Sequence, residues 1–288
     1  EGPYRQGTNG TEKSSIVTAR PALDVKKSGP NAGLEIPYDP ALIIRAQSLL
    51  LEDADKLSAS RPYRFDLVDV QRQMMTNLGQ LIHRKAAEAF RSKDREAFTL
   101  HSGRFLGMLA DMDTLLRTRS EYSFDRWLTE ARSWGETEEE KNQMERDATS
   151  LVTIWGADGD PHIFDYSWRE WAGLINGYYL PRWQKFYTML QQHLDEGTSY
   201  EEAGLPQIYG RETFRANDFY HALAEWELSY VDTYGKARIP ATEGDEIDIV
   251  KRLFKKYFKL SQEYYTDSIK LIKPSRDERT YENLGEDL

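Results

Sequence analysis

Apolar residues recur every three or four positions from Leu67 to Phe90 and again from Phe98 to Leu115, and this period most constrains the fold. Leu67, Val70, Met74, Leu78, Leu81 and Ile82 lead toward Ala86 and Phe90, while Phe98, His101, Phe105, Met108, Met112 and Leu115 keep the same rhythm. A period near 3.6 lays such residues along one face of a helix, whereas a half-buried strand needs strict alternation. Asp94, between the runs, can cap the second. The pattern predicts helices over 63–92 and 94–117 folded back as a long antiparallel hairpin. Strand alternation is not sustained anywhere, and no repeat period marks a helical array.

Six further segments complete an all-α, bundle-like reading of eight helices. Asp39 and Pro40 open a helix over 39–57. Residues 124–134 form a short one that Gly135 should end as a left-handed cap. Thr137 with Glu140 is a capping box for 137–155, which would carry Met144, Ala148, Leu151, Val152 and Trp155. An aromatic-rich helix over 165–194 should kink or divide at Pro181. Segments 212–233 and 245–265 follow. Residues 1–36, rich in Gly, Pro, Ser, Thr and Asn, read as an irregular segment leaning on something else, 37–272 as the helical domain, and 273–288 as a polar tail.

A net charge of −10 argues against a nucleic-acid partner, because the basic group Lys251, Arg252, Lys255 and Lys256 sits on a helix face behind Asp245, Glu246 and Asp248. No apolar run approaches the roughly 20 residues of a membrane span. Cysteine is absent, which removes disulfides, thiolate nucleophiles and thiolate metal sites. The start, Glu1-Gly2-Pro3, is neither a signal peptide nor an initiator methionine, as expected of an excised or processed segment.

None of the compact hydrolase, metalloprotease, dinucleotide or phosphate-loop motifs occurs, so no catalytic residue is assigned and no cofactor or metal is expected. Asp218 and His221 supply at most two ligands, Asp158 and Asp160 start a calcium-like loop without completing it, and Asp66 and Asp69 suit a helix start paired with Arg64 or Arg72. The five histidines show no paired spacing. What remains is the stretch from Trp155 to Tyr166, followed by Ser167-Trp168-Arg169-Glu170-Trp171, which puts many aromatics around one turn. Aromatic rings stack on pyranose faces and also fill helical cores, and composition alone favours the core.

At these residues the sequence resembles the family 89 glycoside hydrolases, the α-N-acetylglucosaminidases. Three blocks carry it: Arg64–Gln73, then Trp155-Gly156 through Asp165-Tyr166, then Ala172-Gly173-Leu174 with Tyr178-Tyr179-Leu180-Pro181-Arg182-Trp183. Their order and spacing agree over roughly residues 40–260. The resemblance implies the C-terminal helical domain of a secreted, retaining exo-enzyme whose two catalytic glutamates lie on a preceding (β/α)8 barrel, absent from this chain.

By that resemblance the domain packs on the catalytic barrel and completes the pocket for a glycan ending in α-linked N-acetylglucosamine. Trp155, Ile163 and Tyr166 match the cleft positions, and Asp165, Arg182 and Trp183 match positions assigned to packing. Animal members act on heparan sulfate in lysosomes, so an extracytoplasmic location, secreted or periplasmic, is expected. The competing reading is an all-helical protein–protein interaction module without a catalytic role.

Overall fold

The computed structural model describes residues 15–28, 32–36, 38–155, 164–200, 202, 217–233 and 244–265. Among these the chain forms nine α-helices: α1 (Ala41–Glu52), α2 (Ala54–Leu57), α3 (Arg61–Arg91), α4 (Arg95–Leu116), α5 (Phe124–Arg132), α6 (Glu138–Val152), α7 (Leu180–Glu196), α8 (Asp218–Thr233) and α9 (Glu246–Tyr264). Strand structure among the described residues is a two-residue antiparallel ladder, Lys27–Ser28 against Ala32–Gly33. The all-α class holds. Eight expected segments become nine because α1 ends at Asp53 and a separate turn, α2, follows.

The predicted hairpin is the centre of the molecule. Asp94 accepts a hydrogen bond from the Ala97 amide at 2.9 Å and starts α4, which returns along α3. Around α3 pack α1, α4 and α9, and α7 packs on α4 and reaches α3 at His83. Leu78, Ile82, Phe105, Met108, Met112, Trp183 and Leu253 are wholly or almost wholly buried there. Each such side chain contributes roughly 1.5–3 kcal/mol by leaving water. At Gly79 the Met108 side chain fills the space a Cβ would take, its Cε lying 2.5 Å from that position.

The capping box at α6 forms as read, with the Thr137 hydroxyl and the Glu140 carboxylate each accepting from the other's backbone amide. Two neighbouring expectations need correction. Gly135 is not in the left-handed region; it is required because a Cβ would meet the Lys141 backbone nitrogen at 2.5 Å. Met144 and Leu151 point outward, so the buried face of α6 is Glu145, Ala148, Thr149 and Val152.

Residues 165–173 are not helical, contrary to the reading of 165–194 as one interrupted helix. Asp165 takes φ 59, and Ala172 is drawn into a parallel bridge with Ser123. The Asp113 carboxylate then accepts from the Gly173 and Asn176 amides at 2.7 and 3.1 Å, and a widened turn, Ile175–Tyr179, leads into α7. Pro181 stands in the first turn of α7, directly after this widened turn.

The described part of the irregular N-terminal segment runs through the helical body, with residues Ser15 to Leu23 all buried. A buried irregular backbone must find partners for its polar groups. The carbonyls of Val17, Thr18 and Pro21 accept from Trp183 Nε1 at 3.3 Å, Arg182 Nη2 at 2.8 Å and the Tyr220 hydroxyl at 2.9 Å. Side chains of α7 and α8 thus replace a missing strand partner.

Candidate functional site

Where α6 ends, Trp155 takes φ 44 and donates its amide to the Ser150 carbonyl at 2.8 Å. The chain returns at Phe164 and Asp165, and the Asp165 amide donates to the Thr153 carbonyl at 2.7 Å. These bonds bring Trp155 and Tyr166 together, with ring centroids 4.7 Å apart and planes tilted by 45°. Tyr166 is 47% exposed and Trp155 half-buried, so the pair presents aromatic surface and one phenol to solvent. Ile163, the third expected cleft residue, lies outside the described residues.

Behind the pair sits a cluster of four buried charges. Arg182 Nη1 donates to both Asp165 oxygens, at 3.1 and 2.8 Å, and to Glu227 Oε1 at 2.9 Å. Arg20 reaches Glu227 through Nε at 3.1 Å and Nη2 at 2.5 Å, and all four side chains are fully buried. Aromatic rings close the cluster: Arg20 lies 4.2 Å from the Phe164 centroid, and Arg182 lies 4.5 and 5.1 Å from those of Tyr178 and Tyr179. Two cations balance two carboxylates, which a low-dielectric interior requires. Burial pushes the Asp165 carboxyl up to about 6, against the pull of Arg182.

The sequence assigned Asp165 and Arg182 to packing, and their place behind the pair agrees with it. Arg20 and Glu227 escaped that reading. Glu227 left a signal, for it shares the inward stripe of α8 with Tyr220, Leu223, Ala224, Tyr230 and Val231. Arg20 left none, lying in a segment without periodicity. A second buried carboxylate, Glu170, holds the other end of the exposed strip by accepting from Thr76 Oγ1 at 2.9 Å and pairing with Ser15 and Arg72.

The remaining candidates have ordinary structural places. Asp69 accepts from Arg72 Nε at 3.0 Å and from the Tyr122 hydroxyl at 2.6 Å, whereas Arg64 reaches across to Glu246 at 2.6 Å. His221 is exposed and faces Glu225 at 3.7 Å, while Asp158 and Asp160 lie outside the described residues. Among the described residues no group of three His, Asp or Glu could hold a metal, and no helix is long and apolar enough to cross a membrane. Cavities of about 550 and 650 Å³ open beside Tyr200 and Tyr265, and neither includes Trp155 or Tyr166.

Known proteins place this architecture. The family described as alpha-N-acetylglucosaminidase (NAGLU) C-terminal domain matches residues 3–256. Alpha-N-acetylglucosaminidase of Homo sapiens is 29% identical over 256 residues, covering 88% of this chain and 31% of the human protein. The family 89 glycoside hydrolase from Clostridium perfringens in complex with PUGNAc superposes with TM-score 0.71 at 25% identity, covering 85% of this chain and 27% of that one. CpGH89 from the same organism, in complex with its substrate GlcNAc-alpha-1,4-galactose, gives TM-score 0.70 at 25% identity over 90% of this chain and 28% of that one. This chain therefore spans less than a third of the length of each relative, and it belongs to the α-N-acetylglucosaminidase C-terminal domain family of the family 89 glycoside hydrolases.

Proposed function

We propose that this domain forms part of a retaining exo-α-N-acetylglucosaminidase, packs on its catalytic barrel and completes the pocket for a terminal α-linked N-acetylglucosamine. The exposed Trp155–Tyr166 pair is the observation that carries the reading. A partly exposed indole 4.7 Å from a phenol offers apolar surface for a pyranose face and a hydroxyl for a sugar oxygen. Ile163 would add a third, apolar contact. Proton transfer and nucleophilic attack fall to two barrel carboxylates, so this chain confines the sugar and keeps water from its apolar face.

Solved relatives support the substrate class, since one holds GlcNAc-alpha-1,4-galactose as its substrate. Heparan sulfate and an extracytoplasmic site of action follow for this chain if it acts as the animal members do. The test is an aryl α-N-acetylglucosaminide assay of the whole enzyme, comparing wild type with Trp155→Ala and Tyr166→Phe after each is shown to be folded. We expect kcat/KM to fall on the order of 10- to 100-fold for Trp155→Ala and less for Tyr166→Phe. Wild-type values for both would make the domain a brace with no part in the pocket.

A further inference from the structure

We propose that Asp165 is a positioning residue for sugar binding, its carboxylate fixing the backbone from which Trp155 and Tyr166 present their rings. The inference rests on the reading of that pair as a pocket wall and adds what holds the wall in place. Asp165 and Tyr166 are neighbours with opposite fates, one fully buried and the other 47% exposed. A left-handed φ at a non-glycine residue persists only where its surroundings over-determine it. Here Trp155 and Asp165 are both left-handed, at φ 44 and φ 59.

What holds Asp165 is the charge cluster, while the Asp165 amide, bonded to the Thr153 carbonyl, ties it to the end of α6 beside Trp155. The Asp165 carboxylate is tied to Arg182 on α7, which is tied to Glu227 on α8 and to the Thr18 carbonyl of the N-terminal segment. Arg20 completes the ring through Glu227, with Tyr178 and Tyr179 against Arg182. Residues from α8 and the N-terminal segment therefore converge on the one guanidinium that holds this carboxylate. Moving Asp165 outward would leave a fully buried cation short of a carboxylate, so the residue beside it is held with its phenol facing out.

The test is a mutant cycle in the whole enzyme. Asp165→Asn keeps the shape and removes the charge, and we expect it to raise KM about tenfold with kcat within about twofold. In a Trp155→Ala/Tyr166→Phe background the same substitution should change KM by less than about twofold, because what it positions is gone. An Asp165 with a merely structural role would lower the active fraction, and hence kcat, leaving KM unchanged; that result overturns the proposal, as does an undiminished effect in the pair-deleted background. If Asp165→Asn does not fold, Arg182→Lys goes through the same cycle, and an unchanged KM there overturns it equally. A paired Trp155→Ala/Tyr166→Phe variant with wild-type kinetics defeats the pocket reading itself, whereas an impaired pair with a normal Asp165→Asn defeats only the positioning.

Discussion

Two adjacent residues of α7, both wholly buried, belong to different kinds of interior. Trp183 lies 4.7 Å, centroid to centroid, from both His83 and Phe105, in a region of rings and aliphatic side chains filled by volume. Arg182 lies among Asp165, Glu227 and Arg20, where position is fixed by charge and hydrogen-bond direction. The apolar interior can relax when an atom is removed. The ionic one cannot, since any single deletion leaves a net buried charge.

That difference sets the largest expected effect. Glu227→Gln leaves Arg20 and Arg182 sharing one carboxylate and should destabilise the fold by about 3–5 kcal/mol, read by denaturant unfolding. Phe105→Ala in the apolar interior costs a similar amount, about 3–5 kcal/mol, by a different route, namely lost transfer energy plus a cavity. The double replacement Arg20→Met with Glu227→Leu separates the two. Removing both members leaves Arg182 and Asp165 as a balanced pair, so the double variant should lose less than Glu227→Gln alone. A double variant at least as unstable as the single one breaks the comparison.

Acid should act on the two interiors in opposite directions. Burial lowers the His83 pKa from 6.5 to about 4, so the unfolded chain binds a proton between those values that the folded chain refuses. Stability then falls as pH drops through that window, by up to about 3 kcal/mol at 1.36 kcal/mol per unit. For Asp165, raised from 3.8 to about 6, the folded state holds the extra proton, and stability falls as pH rises between those values. His83→Gln should therefore remove the loss between pH 6.5 and 4 and leave a curve that falls with rising pH. A variant whose loss on acidification matches wild type would place the titration elsewhere.

The contrast also explains what the sequence could show. The apolar interior was legible because Leu78, Ile82, Phe105 and Met108 carry it by spacing, and the caps at Asp94 and Thr137 by local chemistry. The ionic interior joins partners 17 to 207 residues apart, and its member Arg20 sits where no period operates. The strip from Asp165 to Trp171 misled for a related reason. Its aromatics fall at helix-like intervals, yet Asp165 and Glu170 are held by long-range buried pairs that override local preference. Resemblance supplied Trp155 and Tyr166, while their mutual approach depends on the Asp165–Thr153 backbone bond, invisible in a linear reading.

The smallest effect tests whether the apolar interior has any directional bond of consequence. His83 Nδ1 lies 2.9 Å from the Tyr187 hydroxyl, and burial holds that phenol well above its ordinary range, so it stays protonated and able to donate. Tyr187→Phe keeps the ring contacts with Phe98 and Phe105 and removes one oxygen, which leaves a buried imidazole nitrogen without its partner. The expected cost is about 1–2 kcal/mol above pH 6.5, measured by denaturant midpoint. That is well below the loss for Glu227→Gln, because a neutral nitrogen, unlike an ion, can be left dry at modest cost. A loss as large as that of the ionic variant would mean that direction, as much as volume, holds this half of the core.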